Sequence, residues 1–226
     1  MTTIKAILFD YDGTLVDSEF LHFEMWVAIL ESHGVILKVE DYIDHYAGIP
    51  TPENAAVIVD RYSLTISPSV LITAKSLATK SFLSRKAFPL TVGARRSIDF
   101  FIEKGIKIAI VTGASRIGVD ATIATNNFQG HFQTIVTGDD VKNSKPSPEG
   151  YLLAVQQLGL NVSECIAIED SENGVAAAVS ANISCVAIST TMSKSHDLND
   201  AIKIFSDLDE ARIWIANNYR LHNNDC

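Results

Sequence analysis

Cysteine is scarce in this sequence: Cys165, Cys185 and Cys226 are the only three in 226 residues. The number is odd, Cys165 and Cys185 sit in apolar strand-like runs, and Cys226 is the last residue. No disulfide framework is indicated, and reduced core or tail thiols are expected. Long apolar stretches are missing too, since no segment approaches the roughly 20 residues that cross a bilayer. The chain enters an apolar strand pattern within a few residues of Met1, with no charged leader ahead of it. A cytoplasmic protein without a membrane partner is the expectation. Positive charge is in deficit, with 18 Lys and Arg against 27 Asp and Glu and a formal charge of −9. Nucleic acid and anionic membranes would both be repelled at long range, which excludes a broad surface for either. An anionic substrate remains open, provided that a metal ion, a lysine and backbone N–H groups reverse the sign within one pocket.

What is present is strand and helix in alternation. Apolar, β-branched runs at Ile4–Phe9, Ile106–Thr112, Thr134–Thr137, Glu164–Ile168 and Ile183–Ile188 read as strands buried on both faces. Helical stretches at Arg116–Asn126 and Ser147–Leu158 lie between them, so the fold class is α/β, a Rossmann-like, doubly wound parallel sheet. Catalytic candidates then belong just after strand ends. From about Ser18 to Ala87 the pattern is helical instead, over Glu19–His33, Glu40–Tyr46, Pro52–Tyr62 and Pro68–Ser84, with Thr51 and Ser67 as expected N-caps. The organisation expected is a core of residues 1–16 and 88–226 with an inserted α-helical cap at 17–87. The crossings at Val16–Ser18 and Lys86–Thr91 are the candidate hinges. The tail from about Asn217 is polar and reads as frayed.

The densest chemical signal is Asp10-Tyr11-Asp12-Gly13-Thr14-Leu15-Val16-Asp17-Ser18, directly after the first strand. Two carboxylates one residue apart repel each other at a strand end, and a hard divalent cation such as Mg²⁺ is the simplest compensation. An Asp-rich turn with Gly13 at positive φ explains the same four letters equally well. The other candidates are Thr112 followed by Gly113 and Ala114, Lys145 in Lys145-Pro146-Ser147-Pro148, and the Glu169-Asp170 pair. Each alone has an ordinary explanation: a strand-end hydroxyl, a solvated lysine before a turn, and an acidic helix start capped by Ser171.

Taken together and in this order, these motifs resemble the four motifs of the haloacid dehalogenase (HAD)-like hydrolase superfamily, and the match spans nearly the whole core. The resemblance implies a Mg²⁺-dependent enzyme in which Asp10 attacks phosphorus to form an aspartyl-phosphate. Asp12 would act as acid and then as base. Thr112, Gly113 and Ala114 would hold the phosphoryl group, and Lys145 would neutralise its charge. Asp10, the backbone carbonyl of Asp12, Asp170 and, as a possible further contributor, Glu169 would surround the Mg²⁺. Dehalogenase members use the first Asp without a Mg²⁺ site, so Asp12 together with Asp170 points to phosphoryl transfer.

The stretch Asp17 to Trp26 resembles the start of the cap in β-phosphoglucomutases and sugar-phosphate phosphatases. There His22 falls where a mutase histidine couples cap closure to acid/base chemistry; packing of His22 beside Phe23 and Trp26 is the alternative. Gly48, followed by Ile49 and Pro50, falls in the second cap segment and is expected to form a substrate loop, with helix termination as the alternative. β-Phosphoglucomutases carry an arginine just after that glycine to grip the distal phosphate. This sequence reads Ile49-Pro50-Thr51, with no basic residue before Arg61. Losing that clamp ranks hydrolysis of a small sugar or polyol phosphate above mutase chemistry. Lys75, Lys80, Arg85 and Lys86 are read as a solvated face that could offer a substitute. A silent binding module is the third alternative. The expected partner is a small phosphorylated substrate, and the expected state of the protein is a monomer, with a dimer open.

Overall fold

The computed structural model describes residues 2–193 and 195–221. The β-branched runs form β1 (Thr3–Ile4), β2 (Ala6–Phe9), β3 (Lys107–Val111), β4 (Thr134–Val136), β5 (Cys165–Glu169), β6 (Ser184–Ile188), β7 (Lys203–Phe205) and β8 (Arg220–Leu221). Six of them make one sheet in the order β4-β3-β2-β5-β6-β7, parallel throughout. Side chains alternate across it. Ile7 and Phe9 join the apolar cluster on one face with Ile98, Phe101 and Ile215, whereas Ala6 and Leu8 join Tyr151, Val175 and Ala178 on the other. Those residues come from α5 (Ala94–Glu103), α7 (Glu149–Leu158), α8 (Glu172–Ser180) and α9 (Leu208–Asn218), which with α6 (Arg116–Asn126) cover the sheet as in a doubly wound fold.

Strand register decides where the polar strand-end residues emerge. Phe9 lies opposite Ile110 on β3 and Ile168 on β5, so the carboxyl ends of these three strands finish level. Asp10, Thr112 and Glu169-Asp170 therefore leave along one edge of the sheet.

Between β2 and α5 stand α1 (Glu19–Glu31), α2 (Val39–His45), α3 (Thr51–Arg61) and α4 (Pro68–Leu83). They enclose a separate apolar cluster of Trp26, Leu30, Tyr42, Tyr46, Ile58 and Leu71. Met192 joins that cluster from the loop after β6. The same loop donates a hydrogen bond from Ser195 Oγ to Ile43 O at 3.0 Å and places His196 Nε2 3.2 Å from Ala47 O, strapping the cap helices to the sheet. The two crossings pair with each other: Val16 bridges Leu90, Asp17 N donates to Pro89 O at 2.8 Å, and Thr91 N donates to Leu15 O at 3.0 Å.

Several local expectations change. Pro50, not Thr51, occupies the cap position of α3, and the Ser67 side chain caps nothing because its Oγ pairs with Ser69 Oγ at 2.7 Å. Pro52 and Pro68 still start their helices without wasting an N–H. The tail is ordered structure from Asn217 to Leu221, where α9 continues through Asn218 and β8 pairs with β1, and the rest of the expected frayed tail, 222–226, lies outside the described residues. Cys165 and Cys185 are buried free thiols, and Cys226 lies outside the described residues.

Candidate active site

Asp10 leaves the end of β2 with its N–H donated to Ile168 O at 2.9 Å, which fixes its side chain beside the end of β5. The carboxylates of Asp10, Glu169 and Asp170 gather so that one oxygen from each lies within 4.8 Å of the others, all three buried. Gly13 makes this crowding possible. It has φ +79°, and a Cβ there would sit 2.1 Å from Asp170 Oδ2, so any other residue would expel the carboxylate.

Lys145 enters from the loop before α7. Its Nζ donates to Asp10 Oδ1, to Glu169 Oε1 at 2.6 Å and to Val111 O at 2.9 Å. Burial works to lower its affinity for a proton, but Asp10 and Glu169 reverse this and hold Lys145 above the ordinary lysine range. One ammonium does not balance three carboxylates. Burial, then Glu169, pushes Asp10 well above the usual carboxylate range despite Lys145, and burial followed by Asp10 and Glu169 does the same to Asp170. An all-oxygen donor set with unbalanced negative charge fits a hard divalent cation. The members differ in readiness. Glu169 already accepts from Lys145, from Tyr151 Oη at 2.6 Å and from Ser171 Oγ at 3.4 Å, whereas Asp170 takes no side-chain hydrogen bond among the described residues.

The Asp12 carboxylate stands outside this cluster. It accepts from Ser18 Oγ and faces His22 Nε2 at 3.7 Å. His22 Nδ1 lies 2.9 Å from Lys75 Nζ, and an ammonium can only donate, so the proton of neutral His22 belongs on Nε2, toward Asp12. Burial alone would raise Asp12, yet the His22 and Ser18 hydrogen bonds overcome it and hold Asp12 below the usual range. Lys75 is pulled down to about 8 by burial, with Glu19 and Asp12 opposing. Sequence reasoning placed Lys75 on a solvated face, but it is only 3% exposed. The available signal was its position four residues after Leu71, on the inward stripe of α4. Tyr151, which anchors Glu169, was also missed; it carries no motif of its own and shows only as an apolar helix residue.

Thr112 is buried, and its Oγ1 accepts from Ala114 N at 3.0 Å, shaping the Gly113-Ala114 turn beside Asp10. The His22 ring packs edge-on against Phe88, at 5.2 Å between ring centres, rather than against the expected Phe23 and Trp26, and it faces Asp12. Gly48 has φ +69° and is crowded by His196, where a Cβ would approach Cε1 to 2.9 Å. Asp10, Asp12, Thr112, Gly113, Ala114, Lys145, Asp170, His22 and Gly48 all line one cavity of about 640 Å³ between sheet and cap helices. That size suits a small metabolite. Glu169 lies behind the wall.

Fold and site together define a class: parallel-sheet α/β enzymes with buried carboxylates clustered at strand ends beneath a helical cover. Residues 7–188 match the family model of haloacid dehalogenase-like hydrolases, and the chain belongs to that family. A phosphorylated carbohydrates phosphatase of Thermotoga maritima is 31% identical over 87% of this chain and 88% of its own length. The chloroplastic protein SUPPRESSOR OF QUENCHING 1 of Arabidopsis thaliana is 32% identical over 85% of this chain, which spans only 18% of that longer protein. The crystal structure of CbbY from Rhodobacter sphaeroides, in complex with phosphate, superposes with a TM-score of 0.80 at 25% identity, covering 90% of this chain and 94% of that one. Among the described residues no helix is long and apolar enough to cross a membrane.

Proposed function

We propose that this hydrolase is a Mg²⁺-dependent phosphatase of a small phosphorylated metabolite, a sugar or polyol phosphate, working through an aspartyl-phosphate on Asp10. The observation that carries the reading is the buried convergence of Asp10, Glu169 and Asp170 around a single lysine at the floor of the cavity. Asp10 and Asp170, with the backbone carbonyl of Asp12, would hold the ion, while Glu169 anchors Lys145 from behind. The bound ion supplies charge neutralisation that lets an anionic ester approach anionic side chains.

Asp10 Oδ attacks phosphorus, the ester P–O bond breaks, and the leaving oxygen takes a proton from Asp12. Asp12 then accepts a proton from water as that water attacks the same phosphorus, which releases inorganic phosphate and restores Asp10. The donors that hold Asp12 as a carboxylate favour the second half. An arriving phosphoryl anion raises its proton affinity for the first. Thr112, Gly113, Ala114 and Lys145 position the transferring group.

Residues 17–87 act as the lid and residues 1–16 and 88–226 as the base, with the paired crossings as hinge. The buried free thiols accord with a reducing, cytoplasmic setting. Mutase chemistry ranks second, because Ile49-Pro50-Thr51 after Gly48 carries no arginine to clamp a distal phosphate. The test is phosphate release from para-nitrophenyl phosphate with and without Mg²⁺, in wild type and in Asp10→Asn. Turnover that is lost on chelation and reduced about 10⁴-fold or more by the substitution is expected. Absence of turnover with Mg²⁺, or an unchanged rate in the variant, overturns the reading.

A further inference from the structure

The cavity wall opposite the strand ends carries a carboxylate with no part in the phosphoryl transfer from substrate to Asp10 to water. Glu19 is the first residue of α1 and lines the cavity, half-buried. Tyr42 Oη donates to its Oε2 at 2.9 Å; its Oε1 takes no hydrogen bond from the described residues, and the carboxylate forms no ion pair among them. The group faces the cap interior, and its charge works against the burial that lowers Lys75.

A carboxylate in this place is adverse for a pocket that must take a phosphoryl anion, unless the ligand itself brings donors to it. Beyond the strand ends the charged lining of the cavity is Glu19 and Glu53 with Lys75 and the exposed Lys80, and Lys75 is already engaged with His22. That wall offers the unengaged Glu19 oxygen as an acceptor, and among the described residues its one cation without a partner is Lys80 at the exposed rim. A leaving group with adjacent hydroxyls suits it, because a carboxylate accepts several O–H bonds at once. A second anionic group on the same molecule would face Glu19.

We infer that Glu19 is a specificity-determining residue that accepts hydrogen bonds from hydroxyls of the leaving group, selecting neutral polyhydroxylated monophosphates and rejecting those with a second anion. The inference rests on the phosphatase reading and narrows it. It is tested by kcat/KM with Mg²⁺ on para-nitrophenyl phosphate, which has no hydroxyls, on glucose 6-phosphate, fructose 1-phosphate and glycerol 3-phosphate, and on 6-phosphogluconate, which adds a carboxylate. Wild type is expected to favour at least one of the three neutral hydroxylated esters over 6-phosphogluconate. The isosteric Glu19→Gln should cut kcat/KM on that best ester about tenfold or more, narrow its lead over 6-phosphogluconate, and reduce para-nitrophenyl phosphate turnover by a clearly smaller factor. The last substrate also reports that the variant folds.

Equal losses on all substrates, undiminished discrimination in Glu19→Gln, or a wild type that prefers 6-phosphogluconate would overturn the inference while leaving the phosphatase intact. A wild type silent on para-nitrophenyl phosphate removes the phosphatase reading itself, so the two failures are distinguishable.

Discussion

The strand ends and the cap face each other across one cavity, yet their charges are set in opposite ways. On the sheet side Lys145 is saturated by Asp10, Glu169 and the Val111 carbonyl, and a register common to β2, β3 and β5 fixes where each carboxylate emerges. On the cap side Lys75 is buried against His22 and its proton is held loosely, while Glu19 keeps one oxygen unengaged among the described residues. On the proposed reading the contrast divides the work: the sheet would hold groups that must not move during bond exchange, and the cap groups whose missing partners a ligand can supply. Rigid register suits reaction geometry, and open valence suits choice of substrate.

Substitutions at the two lysines put that contrast at risk most directly. Lys145→Ala removes the only ammonium among three buried carboxylates and leaves Glu169 facing Tyr151 without a counter-charge. A loss of about 3 kcal/mol in urea unfolding is expected, since breaking a buried pair strands a charge. Activity should fall at least a hundredfold, and added Mg²⁺ should recover part of the stability. Lys75→Met should act in the reverse sense on stability. Burial lowers Lys75 from 10.5 to about 8, so below pH 8 both folded and unfolded chains carry the proton and the fold bears the full penalty. The displacement corresponds to about 3 kcal/mol at most, and it fades as pH rises from 8 toward 10.5. Lys75→Met is therefore predicted to be more stable than wild type at pH 7, with the gain shrinking by pH 9.5, and less active, because His22 loses the donor that fixes its tautomer. If both variants behaved alike, the distinction between the two walls would be lost.

A smaller effect is expected at Thr51, which lines the cavity at the start of α3. Thr51→Arg adds a forked cation to a wall whose lysines are Lys75, engaged with His22, and the exposed Lys80. Inhibition constants for glucose 1,6-bisphosphate should improve about three- to tenfold, with little change for inorganic phosphate. No change, or an equal change for both, would place the distal end of the ligand elsewhere.

The same contrast governs what the sequence made legible. Strands buried on both faces announce themselves as unbroken apolar runs, so β2, β3, β5 and β6 were readable, as were the acidic residues at the ends of β2 and β5 and Thr112 after β3. β7 was not, because it is a three-residue edge strand with Lys203 and Ile204 exposed. Helix α5 is preceded by Gly93 in a left-handed conformation rather than by a side-chain cap, and it was not read from the sequence at all; α3 has Pro50 at its cap position, so the capping rule that favoured Thr51 misplaces its start by one residue. Lys75, Tyr151 and the strap through Met192 and His196 depend on contacts between segments far apart in the chain. Such contacts leave only faint traces: a lysine within an apolar stripe, or a tyrosine on a helix that looks merely amphipathic.

A covalent bond between phosphorus and the first carboxylate after β2 is the central claim. Asp12→Ala mixed with para-nitrophenyl phosphate and Mg²⁺ tests it best, because nitrophenolate departs without much help from an acid while water attack still lacks its base. Acid quenching within the first turnovers, followed by peptide mass spectrometry alongside wild type, should find a phosphoryl group on the peptide containing Asp10 and accumulating in the variant. Nitrophenol released by either protein with no phosphoryl adduct at Asp10, or with the adduct on another residue, would contradict it.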